Sequence, residues 1–157
     1  MIRRRKKGSP STHRGLTLVE CGIVVFILAV LATLAIPSFQ KYAANGNLKA
    51  AAREIVSDFL RLKQRAMSEN TTFSLKFDVT QNNYLIQGGG TNQTKTPAYF
   101  ASDIMITSAN FGGGSSITFQ TRGTTSLGTV ILKNSRDSTA TITTNIAGRT
   151  HVRFDFK

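Results

Sequence analysis

The chain has 157 residues with 20 Lys and Arg against 8 Asp and Glu, a formal charge of +12. A single cysteine excludes an intramolecular disulfide, and two histidines without cysteine pairs offer no His/Cys metal spacing. The positive charge is also unevenly placed. Arg3, Arg4, Arg5, Lys6, Lys7 and Arg14 supply six cations with no acid among the first fifteen residues, so the remainder carries only +6. Half of the apparent nucleic-acid signal is thus a terminal basic run of the kind that holds a chain end in the cytoplasm.

From Leu16 to Ile36 there are 21 residues, and Glu20 is the one charged side chain among them. At about 1.5 Å per residue this helix would measure roughly 31 Å, the thickness of a bilayer's hydrocarbon core. An apolar surface on every side predicts a membrane span rather than a surface helix of a globular domain. A secretory signal would have a core of about 7–15 residues with its cleavage site after it. Here the core is longer than that, so a retained segment is expected. Placing a carboxylate in lipid costs about 2.5–3.5 kcal/mol, so Glu20 needs a partner or an interfacial position. Cys21, beside it, reads as a small apolar packing residue.

Pro37 removes one backbone donor and is expected to bend the helix. Gly46 and Asn47 form a weak spot beyond it. Leu48, Ala52, Ile55, Phe59, Leu62 and Ala66 then recur at steps of four and three, an apolar stripe made to pack on a sheet. Lys49, Arg53, Arg61, Lys63 and Arg65 fall mostly on other faces, and Ser68-Glu69-Asn70-Thr71 ends the helix.

Beyond Thr72 the pattern changes to short strands. Phe73, Leu75 and Phe77 alternate, and Tyr84-Leu85-Ile86 is expected to return as a hairpin. Gly88-Gly89-Gly90 through Thr96-Pro97 reads as a loop. Further strands are expected at Asp103–Thr107, Ser116–Gln120, Thr129–Lys133, Thr139–Thr143 and Arg149–Phe156. The run Gly112-Gly113-Gly114-Ser115-Ser116 lacks the Gly-Lys-Ser/Thr ending of a phosphate loop and reads as a turn. Short spacing without intervening helices predicts antiparallel sheet and an α+β class. No catalytic constellation is present, and no cofactor is implied. His13 lies in the basic run, and His151 is a lone strand histidine.

Gly15-Leu16-Thr17-Leu18-Val19-Glu20, the apolar run and Pro37 together resemble the signal of type IV prepilins and type II secretion pseudopilins. Ile117 through Thr125 with Gly123, Gly128-Thr129-Val130-Ile131-Leu132 and Gly148-Arg149-Thr150-His151-Val152-Arg153 resemble the GspH/FimT group of minor pseudopilins. Gln64 through Asn70 resembles that group's Ala-rich passage from helix to strand. The resemblance implies a pilin-like α+β fold, with a long N-terminal helix, transmembrane half plus amphipathic half, packed on antiparallel β-sheets. The implied divisions are a leader over 1–15, a transmembrane helix over 16–37, an amphipathic helix over 38–70 and a β-rich head over 71–157. It further implies prepilin-peptidase cleavage between Gly15 and Leu16, N-methylation of Leu16, and assembly through Glu20, whose carboxylate would pair with a Leu16 amine. The implied partners are other major and minor pilins or pseudopilins, the peptidase, the inner-membrane assembly platform and, before assembly, membrane lipid. The implied location is the bacterial inner membrane with the head in the periplasm.

A reading of a different class stays open: a DNA-binding minor pilin serving DNA uptake, as FimT-like members of the group are. Strand alternation over 149–157 places Val152, Phe154 and Phe156 on one face. Arg149, His151, Arg153 and Lys157 take the other, Asp155 interrupts it, and Lys133 and Arg136 extend it. Such a face could contact phosphates without reading sequence. An ordinary solvated face is the simpler account, because the chain after Leu16 is only mildly basic.

Overall fold

The computed structural model describes residues 17–97 and 103–157. It contains one α-helix, α1 (Leu18–Ser68), followed by eight strands: β1 (Phe73–Asp78), β2 (Asn83–Gly88), β3 (Thr91–Lys95), β4 (Ile104–Asn110), β5 (Ser116–Phe119), β6 (Gly128–Asn134), β7 (Thr139–Thr144) and β8 (Thr150–Asp155). The chain divides into two compact units, one ending at Ser38 and the other running from Phe39 to Lys157.

In the first unit the large side chains among the described residues are exposed. Leu18, Phe26 and Leu31 are 89%, 69% and 57% exposed. The helix assignment runs unbroken through Pro37. It also runs through Gly46 and Asn47, so the expected weak spot interrupts nothing. A glycine inside a helix costs only about 1 kcal/mol, and Ala44 and Leu48 on either side of it are buried within the second unit.

The second unit holds the core. Leu48, Ala52, Ile55, Phe59, Leu62 and Ala66, the stripe expected from the sequence, are all at most 2% exposed. They meet Phe73, Leu75 and Phe77 of β1, Tyr84 and Ile86 of β2, and Val130, Leu132, Ala140 and Ile142 of β6 and β7. Phe59 lies at the centre, its ring 6.3 Å from Phe77 and 5.7 Å from Phe119. Two antiparallel sheets, ordered β3-β2-β1-β5 and β4-β6-β7-β8, share this core.

Local chemistry sets the connections. α1 ends where Asn70 takes a left-handed conformation (φ 47°) and the Thr71 N–H donates back to the Ala66 carbonyl at 3.2 Å, satisfying a terminal acceptor. Asn82, in the β1–β2 turn, ties one sheet to the other: its Nδ2 donates to the Ile104 carbonyl and its Oδ1 accepts from the Ile106 N–H, both at 2.7 Å. The stretch expected to be a loop, Gly88 to Pro97, instead contains β3. Its residues are polar and lack alternation, so nothing local marks a strand. Five register pairs with β2 and a turn with positive φ at Gly88, Gly89 and Gly90 make it one.

Candidate functional site

Two regions carry the sequence expectations. At the start of α1, Thr17 and Glu20 form a capping box. The Thr17 N–H and hydroxyl donate to Glu20 Oε2 at 2.9 and 3.0 Å, and the Glu20 N–H donates to Thr17 Oγ1 at 3.2 Å. The spacing Ser/Thr-x-x-Glu is the sequence signal for this arrangement, and it gives Glu20 a local structural task besides any pairing with an amine. Gly15 and Leu16 lie outside the described residues. The helix that follows is long and apolar enough to cross a membrane.

The second region is the basic strand face. Along β8, His151, Arg153 and Asp155 are exposed while Thr150, Val152 and Phe154 are half-buried, as alternation predicts. Register with β7 sets Arg153 opposite Thr141 and His151 opposite Thr143 on the outer face of the sheet. Lys133 shares this outer face two strands away, since Thr139 stands opposite both Lys133 and Asp155, and the other candidates lie towards the ends of the face. Lys133 Nζ is held by Asp137 at 2.7 Å, and that hydrogen bond keeps the Asp137 carboxyl below its usual range. Arg136 lies in the β6–β7 turn and donates to Gln40 Oε1 at 3.2 Å. Lys157 meets the same turn, its N–H donating to Ser138 Oγ at 3.0 Å. Arg149 sits at the opposite end of β8, where its N–H donates to Asn145 Oδ1 at 2.9 Å. Arg149, Arg153 and Lys157 thus take the two ends and the middle of the last stretch, about 26 Å of chain at roughly 3.3 Å per residue, while Lys133 belongs to β6 and Arg136 to the β6–β7 turn.

Two further groups of residues were not singled out from the sequence. Lys63 pins two turns onto α1, its Nζ donating to the Ala147 carbonyl at 2.9 Å. A Cβ on Gly148 would stand 2.7 Å from Lys63 Nζ and 3.0 Å from the Gly123 carbonyl, so two of the glycines quoted for the family resemblance meet beneath this lysine. Thr125 completes the stitch, its N–H donating to the Ile146 carbonyl at 3.0 Å and its hydroxyl to the Asn145 carbonyl at 2.8 Å. On the other flank of the helix, buried Asp58 accepts from Tyr84 Oη at 2.9 Å and from Lys95 Nζ at 2.8 and 3.0 Å. Burial first, and the Asp58 charge second, push the Tyr84 hydroxyl above its ordinary value of 10.0. No spacing rule could have found either group, because the bonded partners lie 20 to 85 positions apart in the chain.

A helix whose second half lies on two antiparallel sheets, preceded by an apolar half whose described side chains are exposed, is the architecture of pilins and pseudopilins. Two structures of the minor pseudopilin EpsH, from the type 2 secretion system of Vibrio cholerae, match with TM-scores of 0.55. At 12% sequence identity each match covers 69% of this chain and 97% or 96% of EpsH, so the fold of this chain is that of a minor pseudopilin. Two fimbrial proteins of Pseudomonas aeruginosa are 30% identical over 91 residues, 52% of this chain and 57% of each relative. The chain therefore spans little more than half the length of the curated relatives it matches. No family model matches it.

Proposed function

We propose that this chain is a minor pilin or pseudopilin subunit of a type II secretion pseudopilus or a type IV pilus. A prepilin peptidase cleaves after Gly15 and N-methylates Leu16. The subunit waits in the inner membrane with its head in the periplasm, bends at Pro37, and passes through the assembly platform into a filament of other pilins or pseudopilins. The observation that carries this reading is the apolar helix, exposed at its described residues, joined to a head that has its own core and the pseudopilin fold. On assembly such a helix exchanges lipid contact for helix–helix contact. Glu20 then pairs with a Leu16 amine and sets register, a role for which a buried ion pair is better suited than for raw stability.

The test is the mass and N-terminal sequence of the protein from membranes with and without a prepilin peptidase. The expected result is a chain beginning at N-methylated Leu16 only where the peptidase is present. An intact Met1, or a cut beyond Pro37, would end the proposal.

The DNA-uptake reading rests on Arg149 and Arg153, which take part in no ion pair among the described residues. It requires binding of duplex DNA that weakens as salt rises. Absence of binding even at low salt removes it.

A further inference from the structure

The two sheets present four edge strands, and three of them are closed. Edge β3 turns Lys95 inward, where Asp58 and Glu54 hold its Nζ at 2.8 and 3.7 Å. Edge β4 carries a register shift between Ile106 and Ser108, and the Asn82 amide occupies the backbone groups of Ile104 and Ile106. Edge β5 is covered by the following segment: Phe119 bridges to Thr125, and the Ser126 N–H donates to the Thr118 carbonyl at 3.2 Å. These are the recognised ways of protecting an edge from pairing with another chain.

Edge β8 has none of these three, and its charges, Arg153 and Asp155, stand on the outer face of the sheet. It keeps an unshifted register with β7 over six pairs, contains no proline, and its outer backbone groups have no partner among the described residues. Beside it runs one flank of α1. Lys49 Nζ lies 4.9 Å from the centre of the Phe156 ring, and Lys63 reaches Ala147, so this flank follows β8 from end to end. Between those contacts lies an apolar floor. Val56, Val152 and Phe154 are half-buried, and Leu60 and Phe156 are 49% and 42% exposed. The rim consists of Lys49, Arg53 and Lys63, none of which forms an ion pair among the described residues. The opposite flank of the same helix differs: its Arg61 and Arg65 meet Asp58 and Glu69, and Lys95 of β3 meets its Asp58 and Glu54.

We propose that the open β8 edge and its basic helix flank form an acceptor groove for an extended acidic segment of a partner protein. The segment adds as a fifth strand to the sheet, gives its backbone hydrogen bonds to β8, and directs alternate apolar side chains onto the Leu60–Phe156 floor. Its carboxylates meet Lys49 and Arg53. A second copy of this chain, with +6 after Leu16, is repelled from this rim, whereas an acidic partner is drawn to it. Nucleic acid has no use for an apolar floor beside an unpaired strand edge. The proposal does not depend on the filament reading, since the groove lies wholly within the second unit.

The experiment measures amide hydrogen exchange of the full chain in detergent micelles. Three probes are added separately: a blocked peptide of alternating valine and glutamate, its valine–lysine counterpart, and a short DNA duplex. The expected result is that the acidic peptide alone slows exchange at alternate amides of β8 by about ten-fold, equivalent to roughly 1.4 kcal/mol. The double variant Lys49→Glu/Arg53→Glu should lose this protection while core amides of β1 and β6 exchange as before. The proposal is overturned if the acidic peptide leaves β8 unchanged or acts equally on the variant. It is also overturned if the duplex protects the same amides, or if protection rises with protein concentration alone. The mass of the membrane-extracted chain decides the filament reading separately.

Discussion

Residues 18–38 and 39–68 belong to one α-helix, yet their side chains have opposite surroundings. Before Ser38 every described side chain is exposed, whatever its polarity. Beyond Ala44 the helix sorts itself into a stripe at most 2% exposed and flanks that reach solvent or the sheets. Backbone geometry is shared, so the difference lies in what surrounds each half. Apolar surface on all sides suits lipid or other helices, and apolar surface on one stripe suits a sheet in water. The described residues of the first half contribute nothing to the head's core and the second half contributes much of it, so substitutions should separate the two.

The largest effect on folding is expected from Phe59→Ala. Removing a ring packed between Phe77 and Phe119 should cost about 3–5 kcal/mol in denaturant unfolding of the head. Phe26→Ala, at a position 69% exposed, should leave the same transition unmoved. Equal losses from both would erase the division between the halves.

Asp58→Ala comes next. It leaves Tyr84 Oη and Lys95 Nζ without their shared acceptor, at an expected cost of about 1–3 kcal/mol. Gly148→Ala should cost about 1–2 kcal/mol, because its φ of 70° is left-handed and the added methyl would crowd Lys63 Nζ. Loosened exchange at the 145–149 turn would show where the damage lies.

The smallest effect is a pH dependence. The Tyr84 hydroxyl is raised in the folded head, so the unfolded chain releases that proton first as pH climbs past the ordinary value of 10.0. The stabilisation is complete below that value and is lost progressively above it. Denaturant midpoints of the native chain should therefore fall more steeply above pH 10.0 than those of Tyr84→Phe. Parallel slopes would mean that Asp58 and burial do not bias this hydroxyl.

Much of the architecture was legible in the linear chain. The apolar run, the stripe from Leu48 to Ala66 and the alternation in β1 and β8 are one-dimensional patterns, because helix and strand periods map directly onto residue spacing. The capping box of Thr17 and Glu20 was equally local, though it was not among the sequence expectations. Strand β3 was not legible. Its Thr-Asn-Gln-Thr-Lys sequence has no apolar face, and pairing with β2 and the pull of Asp58 on Lys95 supply what propensity lacks.

The candidate site divides in the same way. Alternation was enough to place His151 and Arg153 together on an outer face. It could not show that Lys133 is tied to Asp137, that Arg136 and Lys157 gather at the β6–β7 turn, or that Arg149 sits at the other end. Those facts depend on partners remote in sequence. The chain alone determined that there is an apolar helix, an amphipathic continuation and a strand-rich head, since each is a matter of local period. Which cations stay unpaired, which glycines lie under Lys63 and which of four edges stays open were decided only in three dimensions. Hydrogen bonds and ion pairs act over a few ångströms of space, and no distance along the chain foretells them.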